Sequence, residues 1–334
     1  MKVSASLYSG NPSKKVETLI ELEDIGIDAI HLDCKDDPLV FEDFSTIRKN
    51  CSAIIDLHLI TSNPERYFDA IQVHQPDWLT LQYENLTNTF DFKKIRHSNW
   101  GLAICPETPI SVFEKVSDEA RFLLLMTTIP GESGGTFNPN TFQKIREAQK
   151  RFPKHRIHVD GGVNHEVAFI LRDMGVYCSV SGNYLMKSQH TGRALHTLKS
   201  GIETSKYLVK DFMLTYAETP VCLATDNFES LLYIMDSAKL GFVCIINDDN
   251  TLAGICSNAD LRRGLLKNVK DLNNTTLKDI TNTTPLTANE NWSIAELIDS
   301  IQEASFPVLF LPVVNNENKL TGAVTFNQLI KSNI

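Results

Sequence analysis

No two of the seven cysteines form a C-x-x-C pair; Cys34, Cys51, Cys105, Cys178, Cys222, Cys244 and Cys256 are scattered through 334 residues. An odd, dispersed set excludes a disulfide framework and fits reduced, buried thiols, so a cytoplasmic location is expected. Long apolar runs are also missing. None approaches the roughly 20 residues of a membrane span, and the opening MKVSASLYSGNPSKK has no apolar signal core, so neither membrane insertion nor export is expected. Positive charge is in deficit, with 32 Lys and Arg against 41 Asp and Glu and a net charge of -9. This argues against a nucleic-acid partner, whose phosphate backbone needs clustered cations, and leaves small anions at local sites. The segment SLYSGNPSK after the first apolar run holds a single glycine, which disfavours a doubly wound dinucleotide-binding sheet.

What is present is a series of short apolar runs, several ending in a polar residue: VSASLY (3–8), AIHLD (29–33), AIIDLHL (53–59), WLTLQ (78–82), GLAIC (101–105), FLLLM (122–126), RIHVD (156–160) and YCSVS (177–181). Between most of them lie stretches of helical spacing. In KKVETLIELEDIG, Val16, Leu19, Ile20 and Leu22 share a face; in NTFQKIREAQKRF, Phe142, Ile145 and Ala148 do. Eight strand–helix units in about 200 residues predict an α/β fold, a (β/α)8 TIM barrel, with the C-terminal strand ends meeting at one mouth. The last third carries an internal repeat. Residues 244–261, CIINDDNTLAGICSNADL, align without a gap onto 312–329, PVVNNENKLTGAVTFNQL, and a helical segment precedes each copy. The repeating unit is βαββα, over about 213–270 and 277–332. A helical segment from Thr191 to Phe212 is expected to join two domains, 1–210 and 211–334.

Two of the runs raise a chemical question. HLDCKDD (31–37) and DLHLI (56–60) each carry a histidine with an aspartate two residues away. Alternation puts His31 and Asp33 on one strand face and Asp56 and His58 on another. In a barrel those faces point inward, so His31, Asp33, His58 and Asp160 converge at the mouth from strands two, three and seven. Two imidazoles and two carboxylates suit one divalent ion, Zn²⁺, Mn²⁺ or Fe²⁺. A histidine at a strand end also serves as an ordinary hydrogen-bonded rim residue, and spacing alone leaves both readings open. Glycines cluster after the last three strands, in IPGESGGTF (129–137), VDGGV (159–163) and VSGN (180–183). Such loops hold a phosphate on freed backbone amides, or are simply tight turns.

Taken in order, the SASL opening with Ser6, HLDCKDD, DLHLI, AICPETP, PGESGGTF, VDGGV and VSGN resemble the ribulose-phosphate 3-epimerase family over the first 200 or so residues. The resemblance implies a metal held by His31, Asp33, His58 and Asp160, with Asp33 and Asp160 as opposed catalytic carboxylates at C3 of a ketose phosphate. It places the phosphate on Gly134, Gly135, Gly161, Gly162, Gly182 and Asn183, and Ser6, Met126, Gln82 and Lys35 around the substrate. The chain departs from the family at several of these positions. Gln82 stands where a histidine is common, Lys35 and Ile60 replace methionines, Glu132 and Ser133 replace phenylalanine and glycine, and Asn183 replaces serine. Lys35 therefore reads either as a contact to a second anionic group or as a solvated loop lysine. A related sugar phosphate is expected at least as readily as ribulose 5-phosphate. An isomerase or aldolase on the same barrel, or a non-catalytic sensor, are the rival readings.

The repeat resembles a tandem CBS domain pair, and its wording is similar to the pair attached to arabinose-5-phosphate isomerases, which implies a place in surface-polysaccharide sugar biosynthesis. Such pairs hold an adenosine or cytidine nucleotide or a nucleotide-sugar, with a hydroxyl toward phosphate and a carboxylate three residues later toward ribose. Ser257 and Asp260 fill those positions in the first copy, Thr325 and Gln328 in the second. A purely dimerising pair is the other expectation, and a homo-oligomer follows from either.

Overall fold

Eight parallel strands close on themselves in chain order: β1 (Lys2–Ser6), β2 (Ala29–Cys34), β3 (Ile54–Leu59), β4 (Trp78–Gln82), β5 (Trp100–Ile104), β6 (Phe122–Met126), β7 (Arg156–Asp160) and β8 (Cys178–Ser181), with β8 pairing back onto β1. The structure, a computed structural model, describes residues 1–202, 205–269 and 275–326. Each of the eight apolar runs supplies one barrel strand. They are almost continuously apolar because both faces are covered, one by the barrel interior and one by surrounding helices. Those helices are α1 (Lys15–Asp24), α2 (Glu42–Asn50), α3 (Phe68–His74), α4 (Asn140–Arg151), α5 (His165–Asp173), α6 (Asn183–Met186) and α7 (Thr191–Lys199). Helix α4 buries Phe142, Ile145 and Ala148, the face that its spacing predicts. Between β4 and β5, and between β5 and β6, 3-10 turns stand where the other connectors carry α-helix.

Strand register decides which polar groups meet. His31 lies opposite Asp56, and Asp33 opposite His58, so the order His-x-Asp on β2 faces Asp-x-His on β3. Asp160 ends β7 beside Met126 and Val180. Below this layer the barrel is plugged by aromatic rings. Phe122 and His158 stack at 4.3 Å and 11°, with Trp78 and Tyr177 against the same imidazole. The plug leaves the C-terminal mouth as the polar end.

Contacts divide the chain into two compact units, Met1–Thr204 and Ser205–Asn327, a few residues before the expected boundary at 210. The single joining helix expected from Thr191 to Phe212 is corrected. Helix α7 ends at Lys199, and one further turn, α8 (Val209–Phe212), belongs to the second unit. Gly201 lies just beyond α7, where Arg172 of α5 donates to the carbonyls of Thr197, Leu198 and Gly201 and terminates the helix.

The second unit builds the two repeats as βαββ units on separate sheets. In the first, β10 (Val221–Leu223), β11 (Phe242–Ile246) and β12 (Leu252–Ser257) carry α9 (Phe228–Ala238), and α10 (Asn258–Lys267) follows. The short helix α11 (Leu277–Ile280) links the copies. In the second, β13 (Ala288–Asn289), α12 (Ile294–Gln302), β14 (Phe310–Val314) and β15 (Leu320–Thr325) recur, with β9 (Leu214–Thr215) added at the edge of β15. The helix expected after β15, and with it Gln328, lies outside the described residues. The turns of the two hairpins bond to each other, Leu252 N–H to Asn318 O at 2.9 Å and Leu320 N–H to Asn250 O at 3.0 Å. Both asparagines adopt positive φ, a conformation this residue tolerates better than most. Phe242, Cys244, Ile246, Ile255, Leu320 and Ala323 form the core between the copies.

Candidate active site

His31 and His58, both fully buried, face the barrel interior with Asp33 and Asp160 beside them. One ligand atom from each of these four residues lies within 4.8 Å of all the others. Asp33 Oδ1 is 3.3 Å from His31 Nε2 and 3.1 Å from His58 Nδ1, while Asp160 Oδ2 is 3.7 Å from His31 Nε2. The expected cluster therefore assembles, because the β2–β3 register and the end of β7 bring the three strands' polar tips together.

The partners of the histidines decide whether the cluster fits a cation. Asp56 Oδ2 is 2.8 Å from His31 Nδ1 and also accepts from Ser4 Oγ at 3.1 Å. A carboxylate only accepts, so Nδ1 carries a hydrogen, and Nε2, 3.3 Å from Asp33 Oδ1, is the nitrogen whose lone pair a cation at the cluster centre would take in place of a proton. On the other imidazole, Nε2 is 2.8 Å from Gln82 Oε1, which leaves Nδ1 facing the centre. Two lone pairs and two carboxylates directed at one point form an N2O2 donor set that suits a borderline divalent ion, so the residues fit the group.

Electrostatics agree with a site built for positive charge. Burial opposes protonation of His31, yet Asp56 and Asp33 outweigh it and hold the imidazole well above its usual range. Burial likewise opposes ionisation of Asp33, but His31 and His58 keep its carboxyl far below the usual carboxylate range. Asp160 goes the other way. Burial, with the charges of Asp33 and Asp56 added, pushes it up to about 6 against the pull of His31 and His58. Two adjacent carboxyls thus differ strongly in proton affinity.

The mouth continues into a cavity of about 180 Å³ lined by Asp33, Asp160, Ser6, Ser9, Gly131–Gly135, Gly161, Gly162, Gly182 and Asn183 among others. All six phosphate positions expected from the glycine loops line it. Gly161 (φ +111°) and Gly162 (φ +60°) are needed there on two grounds, since a Cβ would also meet Thr128 Oγ1 and Phe137 N, each at 2.3 Å. The 129–137 loop is tied down on two sides: Lys35 Nζ donates to Gly131 O at 3.1 Å, and Ser133 Oγ joins Ser9 Oγ at 2.8 Å, which joins Ser6 Oγ at 3.1 Å.

Of the four residues expected around the substrate, Ser6 lines this cavity and three are engaged elsewhere. Gln82 is fully buried between His58 and Glu84. Met126 is buried against Ala103 and Leu124. Lys35 is exposed and bonded to the loop. Sequence reasoning missed Asp56 as the partner of His31, although it sits two residues before His58 on the same strand face. It also missed Glu84, Ser9 and Ser133, whose contacts arise between distant loops.

A closed eight-stranded α/β barrel with this cluster beside a glycine-lined cavity defines a sugar-phosphate enzyme of the TIM-barrel class. The chain belongs to the ribulose-phosphate 3 epimerase family, whose sequence model matches residues 2–186, and is a sugar-phosphate epimerase. It is 25% identical over 218 residues to the cytoplasmic isoform of ribulose-phosphate 3-epimerase from Oryza sativa subsp. japonica, covering 61% of this chain and 96% of the relative. To ribulose-phosphate 3-epimerase of Bacillus subtilis (strain 168) it is 28% identical over 216 residues, covering 60% and 98%. The CBS domain model matches residues 277–333. The second unit is also similar to the CBS-pair protein CBSX2 from Arabidopsis thaliana, at 23% identity, covering 38% of this chain and 94% of that one with a TM-score of 0.32.

Proposed function

We propose that the chain inverts C3 of a ketose phosphate, ribulose 5-phosphate or a related sugar, by proton transfer between two carboxylates. The carrying observation is that Asp33 and Asp160 both border His31 Nε2 and both line the cavity whose other wall is glycine backbone. Inversion needs one group to take the C3 proton and another to return it to the opposite face, and two separately attached carboxyls meet that need. Their unequal environments support different roles, one starting ionised and the other more readily protonated. His31, Asp33, His58 and Asp160 would hold a divalent ion, Zn²⁺, Mn²⁺ or Fe²⁺. Bound there, it would stabilise the negative charge that develops on the substrate oxygens as the enediolate forms. The glycine loops and Asn183 hold the phosphate, and Ser6, Ser9 and Ser133 offer hydroxyls to the same cavity. An aldolase reading through Lys35 gains no support, since that ammonium is bonded to Gly131 O and does not line the cavity. Solvent deuterium incorporation into a panel of five- to seven-carbon ketose phosphates, read by NMR, tests the proposal. Exchange at C3 with inversion is expected; exchange only at C1, or none with any member, overturns it.

For the second unit the reading is a nucleotide-responsive pair. A cleft of about 1260 Å³ is lined by Ser257, Asp260, Lys239, Arg262 and Arg263, with apolar walls that include Met235, Ile255 and Phe310. Cations beside apolar surface suit a base with an attached phosphate, as in an adenosine or cytidine nucleotide or a nucleotide-sugar. Ser257 and Asp260 also form a capping box at the start of α10, and Asp260 pairs with Arg263. Those bonds account for the two residues without a ligand, so an assembly role for a homo-oligomer stands beside the nucleotide reading. The surface-carbohydrate branch rests on the wording of the repeat alone. A cytoplasmic location is supported by seven free thiols, and no helix among the described residues is long and apolar enough to cross a membrane.

A further inference from the structure

We propose that Glu84 is a positioning residue that, acting through Gln82, fixes the ring of His58 in the state able to bind a cation; the inference rests on the metal reading of the four-residue cluster. Gln82 lies between two groups. Its Oε1 is 2.8 Å from His58 Nε2, and its Nε2 donates to Glu84 Oε2 at 2.5 Å, with Cys105 Sγ at 3.6 Å on the same amide nitrogen. An amide reads the same shape in either orientation, so Gln82 by itself sets no direction. Glu84 does. A carboxylate can only accept, and turning the amide over would set its carbonyl oxygen against Glu84 Oε2. The NH2 is therefore committed to Glu84, the carbonyl to His58, and Nε2 of His58 must carry a hydrogen.

The consequence falls on the other ring nitrogen. His58 Nδ1 faces Asp33 Oδ1 at 3.1 Å, and that carboxylate draws a hydrogen onto it. If Gln82 were free to turn, its NH2 could donate to Nε2, and the neutral ring with hydrogen on Nδ1 would satisfy every partner. That ring presents N–H to the cluster centre, where a cation needs a lone pair. By holding hydrogen on Nε2, the Glu84–Gln82 pair removes the competing tautomer. Asp56 performs the same task directly on His31. Both imidazoles are thus oriented by a carboxylate, one at first hand and one at one remove.

Glu84 is itself held in place by the loop after β5. Its Oε1 accepts from Cys105 N–H at 2.7 Å and from Thr108 Oγ1. The buried Lys144 of α4 clamps that loop by donating to Cys105 O at 2.6 Å, Pro106 O at 3.0 Å and Thr108 O at 2.5 Å. Partial burial opposes the charge on Glu84, but hydrogen bonds from Thr108, Cys105 and Gln82 keep its carboxyl below the usual range, so it stays an acceptor.

The test compares Glu84→Gln, which can donate and so frees the amide to turn, with Thr108→Val, which loosens the loop and leaves the carboxylate. Mn²⁺ is titrated calorimetrically into the metal-stripped full chain, and ¹⁵N spectra of the histidine rings are recorded without metal, the His58 signals identified by their absence in His58→Ala. E84Q is expected to bind Mn²⁺ about 10–100-fold more weakly, the usual effect of losing a residue that supports a metal ligand. His58 Nε2 should be protonated in the wild type and T108V and unprotonated in a large fraction of E84Q. An unchanged ring spectrum in E84Q overturns the proposal, whether affinity holds or falls, because any loss is then a packing effect. A wild type that binds no Mn²⁺ defeats the metal reading instead, and the ring comparison still decides the role of Glu84.

Discussion

Asp33 Oδ1 lies 3.3 Å from His31 Nε2 and 3.1 Å from His58 Nδ1 while Asp160 Oδ2 lies 3.7 Å from His31 Nε2, and this inequality is what a two-carboxylate proton transfer would use. Asp33→Asn and Asp160→Asn should each abolish epimerisation, because an amide cannot accept the C3 proton. Metal content measured on the same samples separates lost proton transfer from a lost ligand, and near-normal turnover in either variant would rule out the scheme. Lys35 calls for a different expectation. Its ammonium holds Gly131 O and is absent from the cavity wall, so Lys35→Met should raise KM across a panel of ketose phosphates without reordering their preference. Steady-state kinetics on that panel decides the matter. A reordered preference would return Lys35 to the substrate.

At the scale of elements, the loops after β6, β7 and β8 behave as one structure. Thr127 donates to Gly161 O, Ser133 reaches Ser9 beyond β1, and Asn183 packs against Gly134. Gly161 sits where the loops after β6 and β7 approach each other closely. Its φ of +111° and a Cβ position 2.3 Å from Thr128 Oγ1 leave no room for a side chain. Gly161→Ala should cost about 1–3 kcal/mol, the scale of a forced backbone conformation, measured by urea unfolding. It should weaken sugar-phosphate binding more than metal binding, because the glycine belongs to the cavity wall and not to the donor set. Equal losses of both would show that the loops and the cluster form one unit. The missing α-helices beside β5 carry a related lesson: a barrel keeps its strands when a connector shortens, since the strand ladder closes independently of what covers it.

Across the whole molecule, pH should act on stability through a carboxyl far from the reaction. Asp173, at the end of α5, is buried, its Oδ1 has no hydrogen-bond partner, and burial raises it well above the ordinary 3.8. The folded chain therefore retains a proton there that the unfolded chain releases. Stability from this group is fully present below the unfolded pKa and is lost as pH rises toward the folded value. Asp173→Asn should match the wild type near about pH 4 and exceed it near about pH 8, read as urea midpoints. A wild type that still matches Asp173→Asn at the higher pH would contradict the assignment. The second unit offers a further measurement at this scale. An adenosine or cytidine nucleotide should bind the full chain at the cleft holding Ser257 and Asp260, and Asp260→Asn should weaken it by roughly 1.5–3 kcal/mol. If the pair is regulatory, nucleotide affinity must change when sugar phosphate is bound, since coupling between sites is reciprocal. Calorimetry without heat for any member of a nucleotide panel would leave assembly as its role.

The sequence by itself determined the elements and their order. Apolar runs of strand length, helical spacing between most of them and glycines after the last three strands are local signals; the strands and glycine loops stand where expected, whereas of the face read in the first helix Leu19 and Leu22 are buried and Val16 and Ile20 are exposed. The duplicated hairpin was equally legible, since β11 and β14, and β12 and β15, recur at one constant spacing. The four residues of the cluster could be nominated from alternation, because a strand end has only one inward face. What only the tertiary structure decided is which atom faces which. The β2–β3 register gives His31 its Asp56 and Asp33 its His58. The fold around β4 turns Gln82 from the substrate to an imidazole, and loop closure carries Lys35 to Gly131 and Ser133 to Ser9. These are contacts between residues far apart in the chain, set by how strands and loops pack, and no local pattern of residue types encodes them.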